Sequence, residues 1–311
     1  MKKNISSEEM LTILIPVRND YDSVEILIGL IDQTFDEASI SKPDILLVDD
    51  GSNRASNSQK ARILNGNEKN RKAGIEIIEI NSRRGHQFAI KSGLSYLRQN
   101  NHSAGRHVLV MDGDGEDLPE HALEMHLQGI STDSSIITAR RGSRQAGLKF
   151  SFFYKIFQLL FRLLTGFEIN TGNFMWINAN QINHLLEFPS FENHIAASVV
   201  RYGSDIKTVT FNRGTRIKGK SQMNFPGLVL HAYGALSVFA DIAIARMFIL
   251  IVTVASGIFA GVVLFIILVL SNAISPISGW ASIVVIQATT FIASILIQAI
   301  LSLLLLLKRS K

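Results

Sequence analysis

The stretch HVLVMDGDG (107–115), continued by EDLPE to residue 120, decides the fold. Four apolar residues in a row, closed by acids and glycine, describe a short buried strand that stops in a turn. The same pattern recurs upstream. LTILIPV (11–17) halts at Arg18, with Asn19 and Asp20 beyond it, and DILLVDD (44–50) runs into Gly51-Ser52. IEIIEI (75–80) alternates in part. Helical spacing fills the intervals: Val24, Leu27, Ile28 and Ile31 within 22–34, then Gln87–Gln99 and Leu118–Gln128. Strands alternating with helices predict an α/β, Rossmann-like sheet, mixed but mostly parallel, with helices on both faces. Such sheets bind ligands beyond the carboxyl ends of their strands. That is where Asn19 and Asp20, Asp49 and Asp50, and Asp112 and Asp114 gather.

Asp112-Gly113-Asp114 sets two carboxylates at i and i+2, on one side of an extended backbone, while Gly113 admits a bulky ligand. Paired hard oxygens suit Mg²⁺ or Mn²⁺, which commonly share their coordination with substrate phosphates. A divalent ion on a diphosphate neutralises the charge that grows on a departing nucleoside diphosphate.

The composition narrows the class. The 311 residues are 47% hydrophobic and 18% charged and include no cysteine. That excludes a disulfide framework, a thiolate zinc site and a cysteine nucleophile. Of the net charge of +5, +3 falls after position 240, on Asp241, Arg246, Lys308, Arg309 and Lys311. The basic excess therefore sits beside apolar segments and is read as membrane-associated, with no nucleic-acid partner. Between Arg246 and Lys308 there is no charged side chain. Residues 247–270 and about 281–307 are each long enough to span a bilayer, and SNAISPISGW between them makes a short hairpin loop anchored by Trp280. No signal peptide is evident at the N-terminus. Two spans return the chain to its starting side, and the basic tail predicts that both termini and the catalytic domain are cytoplasmic. The expected division is a catalytic domain over 1–230, then a juxtamembrane helix (231–245) and two spans over 231–311.

Several motifs, in order, resemble a family-2 glycosyltransferase with a GT-A fold, close in layout to the polyprenyl-phosphate sugar transferases of the dolichyl-phosphate-mannose synthase type. They are IPVRND (15–20), LLVDDGS (46–52), GHQFAIKSGL (85–94), VMDGDGEDLPE (110–120) and RGTRIKGKSQM (213–223). The resemblance implies a nucleotide-sugar site built from Pro16, Asn19, Asp20, Asp49, Asp50, Gly51, Ser52, His86 and Asp112. It implies a metal on Asp112 and Asp114, and places Asp117, then Glu116, as catalytic residues near the acceptor. As acids at a helix start, these last two also suit the helix dipole. The sequence departs from the family pattern at Arg18 (usually aromatic), Arg54, Arg83, Gln222 and Gly172-Asn173-Phe174, where Gly-Asp-Phe is usual.

A sugar hydroxyl needs a general base. A phosphate monoester, with a second pKa of about 6, arrives ionised and needs cations instead. Arg201, Lys207, Arg213, Arg216, Lys218 and Lys220 precede the apolar hairpin. Arg201, Arg213, Arg216, Lys218 and Ser221 are thus the candidate ligands of a lipid-phosphate acceptor, although basic residues here also suit attraction to anionic lipid. KFSFFYKIFQLLFRLLTG (149–166) suits an interfacial helix or a core helix on the sheet. His194, in a loop after Asn193, could face the acceptor. The leading expectation is a membrane-bound, metal-dependent, inverting transfer of a sugar from a nucleotide sugar to polyprenyl phosphate, compatible with a homo-oligomer. A glycolipid or envelope-glycan hydroxyl acceptor, nucleotidyl transfer and a non-catalytic anchor are the alternatives.

Overall fold

The computed structural model describes residues 10–53, 56–70, 73–100, 106–132, 134–141, 148–188, 190–203, 205–218, 225–275 and 279–309. The first half alternates as the sequence predicts: β1 (Met10–Val17), α1 (Tyr21–Glu37), β2 (Asp44–Asp49), α2 (Asn57–Asn70), β3 (Ile75–Glu79), α3 (His86–Gln99), β4 (Arg106–Val110) and α4 (Pro119–Thr132). Then come β5 (Ile136–Arg141), α5 (Leu148–Thr165), β6 (Thr171–Ile177), α6 (Ala179–Leu186), α7 (Ile195–Tyr202), β7 (Ile206–Phe211) and α8 (Phe225–Val238). The chain closes with α9 (Ala240–Leu270) and α10 (Trp280–Arg309).

The seven strands form one sheet in the order β3-β2-β1-β4-β6-β5-β7. All neighbours are parallel except β6, which is antiparallel to both β4 and β5. The mixed, mostly parallel sheet is therefore as expected. Successive β-α units build outward from β1 to β3, and the chain then crosses through α3 to pair β4 on the other side of β1. This reversal opens a crevice at the carboxyl ends of β1 and β4, where α/β sheets bind ligands.

β1 is buried at every position from Leu11 to Val17 because both faces of the sheet are covered. Ile13, Ile15 and Val17 join one core with Val24, Leu27, Ile31 and Phe35 of α1 and Met125 of α4. Leu14 joins the other with Ala89, Ile90 and Leu94 of α3, Ile182 of α6 and Val199 of α7. Each fully buried Ile or Leu contributes about 1.5–3 kcal/mol of transfer free energy. Trp176 of β6 is wholly buried, and its indole N–H donates to His126 Nδ1 at 3.2 Å. Burial, and then neighbouring His107, push the His126 imidazole down to about 4. His126 is therefore a neutral core acceptor.

The chain divides into two compact units, one of Met1–Lys155 with Glu168–Val238 and the other of Ile156–Phe167 with Phe239–Lys311. The division falls after Val238 rather than after residue 230, because α8 packs on α7 within the first unit. Inside the second unit Phe161 and Phe167 pack on Phe239, with ring centroids 5.5 and 4.9 Å apart, and the Arg246 guanidinium donates to the Leu163 carbonyl at 3.1 Å. Among the described residues one helix, Ala240–Leu270, is long and apolar enough to cross a membrane. Large apolar side chains around it, among them Ile249, Leu250, Phe259 and Leu270, are exposed. The second predicted span lies in α10, whose qualifying apolar stretch among the described residues, Ser282–Gln298, is shorter. Phe265 and Trp280 meet edge to face, their centroids 5.6 Å apart. Pro276 of the predicted loop lies outside the described residues.

Candidate active site

The turns after β1 and β2 are bound to each other. Asn19, at φ +56°, donates its backbone N–H to Ser52 Oγ at 2.9 Å, and its own Oδ1 accepts from Asn53 N at 2.8 Å. Asp20 Oδ1 accepts from Ser23 Oγ at 2.6 Å at the start of α1. Pro16 lies within β1, buried and opposite Val48, rather than in the turn. Gly51 occupies φ +66°, and a Cβ there would stand 2.7 Å from Arg83 N, so only glycine fits against the loop between β3 and α3.

Asp49 is 1% exposed and committed to the protein itself. Oδ1 accepts from Ser52 N at 2.7 Å, and Oδ2 accepts from Tyr21 Oη at 2.9 Å and pairs with the Lys60 ammonium, which also reaches Glu79. Burial pushes the Asp49 carboxyl up, but Lys60, Ser52 and Tyr21 together hold it below its ordinary value. The Tyr21 phenol is correspondingly raised, by burial first and by Asp49 second. Asp50 is equally engaged: its carboxylate accepts from Arg84 N at 2.6 Å and Gly85 N at 3.0 Å, fixing the loop that leads into α3. These two acids shape the donor-side turns. Lys60 and Tyr21 carry no motif. A buried carboxylate demands a counter-charge, but sequence does not say which lysine supplies it.

The acidic loop follows β4 at the crevice. His86, the first residue of α3, places Nε2 at 3.3 Å from Asp112 Oδ1. Asp117, 4% exposed, turns back so that Oδ2 accepts from Asp112 N at 3.3 Å. Asp114 Oδ1 accepts from Glu116 N at 2.9 Å, and Oδ2 pairs with the Arg216 guanidinium at 2.6 Å. Glu116, 8% exposed, pairs with Arg213 at 2.5 Å and Arg216 at 3.3 Å. The segment after β7 is strapped to this loop by backbone as well, through Gly214 N to Glu116 O and Ile217 N to Asp114 O, both at 2.9 Å. Gly115, at φ +80°, lets Ile217 lie against the turn. Burial, then the charge of Asp112, raise the Asp114 carboxyl, with Arg216 acting in the opposite sense.

The structure thus brings Arg213 and Arg216 to the predicted metal and catalytic carboxylates. The remaining candidate acceptor ligands are elsewhere. Lys218 stands 3.7 Å from Asp22 at the start of α1. Arg201 donates to the Val238 carbonyl at the end of α8 and stacks on Tyr202. Ser221, Lys220, Gln222 and Arg54 lie outside the described residues. His194 caps α7, its Nδ1 accepting from Ala197 N at 3.1 Å, while its Nε2 meets Nε2 of His231 on α8 at 3.0 Å. It therefore ties α8 down. Gln87, beside His86, accepts from Ile195 N at 2.7 Å and links the same loop to α3.

Among the described residues no group of three or more His, Asp or Glu side chains forms a ready metal cage. A two-carboxylate set matches a hard cation that takes one or two protein oxygens and completes its shell with phosphates and water. Asp112 and Asp114 fit Mg²⁺ or Mn²⁺ on those terms.

A parallel-rich sheet whose switch point carries an acidic Asp-Gly-Asp turn is the frame of a glycosyltransferase that uses nucleotide sugars. The profile of glycosyl transferase family 2 matches residues 12–182, and the chain belongs to that family. An uncharacterized glycosyltransferase, YkcC, of Bacillus subtilis (strain 168) is 24% identical over 68% of this chain, and the match spans 64% of the relative's length. Among solved structures, mannosyl-3-phosphoglycerate synthase from Rubrobacter xylanophilus shares 16% identity over 75% of this chain and 73% of its own, with a TM-score of 0.48. The mannosyltransferase PcManGT from Pyrobaculum calidifontis, in complex with GDP-Man and Mn²⁺, shares 14% identity over 95% of this chain and 88% of its own, with a TM-score of 0.47.

Proposed function

We propose that this family 2 glycosyltransferase acts at a membrane, moving a sugar with inversion from a nucleotide-sugar donor to polyprenyl phosphate. The carrying observation is the single ion-pair network in which Arg213 and Arg216 grip Asp114 and Glu116 beside Asp112. Carboxylates that hold a cation for the donor diphosphate and guanidiniums that hold an anionic acceptor are then within one another's reach. Arginine suits phosphate because its planar fork donates two parallel hydrogen bonds.

Asp112 and Asp114 would hold Mg²⁺ or Mn²⁺, which neutralises charge on the departing nucleoside diphosphate. His86, against Asp112, is positioned to donate to a diphosphate oxygen. Asn19, Asp20 and Ser52 frame the nucleoside side of the crevice, with Asp49 and Asp50 bracing their turns. Arg216 can exchange the Asp114 carboxylate for the acceptor phosphate, and Arg213 stands beside it. A phosphate nucleophile arrives ionised, so no protein base is required. Glu116 and Asp117 then serve by fixing the loop. A single in-line displacement inverts the anomeric centre.

The membrane assignment draws on α9, apolar around its circumference, with α10 as the second span. Arg246 on one side and Lys308, Arg309 and Lys311 on the other bound the uncharged stretch of sequence within these helices. Under the positive-inside tendency they put both termini and the catalytic unit on the cytoplasmic side. Leu159, Leu160 and Leu163 of α5 are exposed, as an interfacial helix requires.

The test is incubation of the full chain with labelled nucleotide sugars, polyprenyl phosphate and Mg²⁺ or Mn²⁺, followed by mild acid. An acid-labile, lipid-soluble product with release of nucleoside diphosphate supports the proposal. An acid-stable glycolipid points to a hydroxyl acceptor, and release of pyrophosphate to nucleotidyl transfer.

A further inference from the structure

β6 carries two polar side chains that the proposed chemistry has not used. Thr171 Oγ1 and Asn173 Oδ1 are both buried, and neither has a hydrogen-bond partner among the described residues. Buried polar atoms are nearly always paired, and exceptions are frequent where a ligand completes the set. Two exceptions two residues apart on one strand call for a common cause.

Their place in the sheet supplies it. β6 runs antiparallel to β4 with Met175 opposite Val110. The pairing ends there, so Asn173 and Thr171 lie on the part of β6 beyond the point where the chain leaves β4 for the Asp112–Asp114 turn. Phe174 and Trp176 belong to the core on the α1 and α4 face, whereas Met175 and Ile177 belong to the core on the α3 face. Alternation from Met175 and Phe174 turns Asn173 toward the latter, the face where His86 opens α3 and meets Asp112, and Thr171 follows just beyond the irregular pairing. The strand is also irregular here. Thr138 pairs with Met175 and Arg140 with Thr171, so Ala139 alone faces residues 172–174. Bulges of this kind commonly re-aim side chains beside active sites.

The geometry points to Asn173 and Thr171 as the pair that reads hydroxyl groups of the transferred sugar. A neutral amide and a hydroxyl each donate and accept, which matches a sugar's hydroxyls. A phosphate would call for cations and a nucleobase for a stacking surface. Asn173 is suited where a carboxylate would only accept, because its Oδ1 can accept a hydrogen bond from one sugar hydroxyl while its Nδ2 donates to another. This assignment rests on the nucleotide-sugar donor proposed above.

The experiment compares a nucleotide sugar with its own nucleoside diphosphate. Binding of UDP-, GDP- and dTDP-sugars to the full chain is measured calorimetrically with Mg²⁺ present, and the preferred donor is carried forward with its diphosphate. Asn173→Ala and Thr171→Val should each weaken the nucleotide sugar about tenfold, the scale of one buried hydrogen bond lost with its partner unpaired. Affinity for the diphosphate alone should stay within about twofold. Thr171→Ser, which keeps the hydroxyl, should restore sugar binding, and thermal midpoints of all variants show whether they fold. Equal weakening of both ligands, or no change in either, overturns the assignment while leaving the donor proposal intact. Failure of the wild type to bind any nucleotide sugar overturns both.

Discussion

Lys60→Met tests the buried network under the donor-side turns. Asp49 is 1% exposed and has three partners, Lys60, Tyr21 and Ser52. Removing one member of a buried ion pair typically costs about 3–5 kcal/mol. Here two hydrogen bonds to Asp49 survive, and Glu79, with a largely exposed side chain, rehydrates once Lys60 is gone. The lower end is therefore expected, about 3 kcal/mol, or roughly a 150-fold shift in the folding equilibrium at neutral pH. The pH dependence carries the sharper sign. In the wild type the folded pKa of Asp49 lies below its unfolded value of 3.8. Its contribution is thus present above 3.8 and lost as pH falls through the folded value. Without Lys60 one of the groups that hold the carboxyl down is gone, so the folded pKa of the variant lies above that of the wild type. The variant's deficit should then be largest near pH 7 and shrink as acid neutralises Asp49. Urea unfolding of the full chain in detergent micelles, followed by Trp176 fluorescence in a Trp280→Phe background, measures this from pH 7 to 3. Asp49→Asn combined with Lys60→Met should recover part of the loss, because both charges are then absent. A deficit that stays constant across the pH range would refute the assignment of Lys60 as counter-ion to Asp49.

Further outcomes follow from other contacts. Arg216→Gln frees Asp114 from its guanidinium, and Mn²⁺ binding by the nucleotide-free chain, followed by electron paramagnetic resonance, should tighten about tenfold; unchanged affinity would separate Asp114 from the cation. Gly129→Ala would set a Cβ 2.6 Å from the buried Trp176 ring. Overpacking of about 1–3 kcal/mol should exceed the gain in helix propensity of about 1 kcal/mol, lowering the urea midpoint. Burial, then His231, hold His194 down at about 3, so the unfolded chain takes up a proton that the folded chain refuses between about pH 6.5 and 3. Stability should fall with acid by up to about 1.4 kcal/mol per pH unit from this group. His194→Asn, which keeps an acceptor for Ala197 N, should reduce the slope in denaturation series, leaving the part due to His126.

Elements whose signals are local were legible in the chain of residues alone. Apolar runs ending in polar, acidic turns marked β1, β2 and β4, and 3.6-residue spacing marked α1, α3 and α4, because burial periodicity and turn chemistry are written within a few neighbouring residues. The acidic turn at 112–114 and its place at a strand end were legible for the same reason. Three things were decided only by tertiary structure. β6 enters antiparallel between β4 and β5, and nothing in TGNFMWI specifies its neighbours. Lys60 reaches Asp49, and Arg213 and Arg216 reach Asp114 and Glu116 across about a hundred residues of chain. α8, which takes in the first part of the 231–245 stretch read as a juxtamembrane helix, belongs to the first unit, where His231 meets His194. Charge attraction fixes that a buried carboxylate needs a cation, whereas strand order fixes which cation is close enough to serve. A spacing rule carries the first kind of information, and only the assembled sheet carries the second.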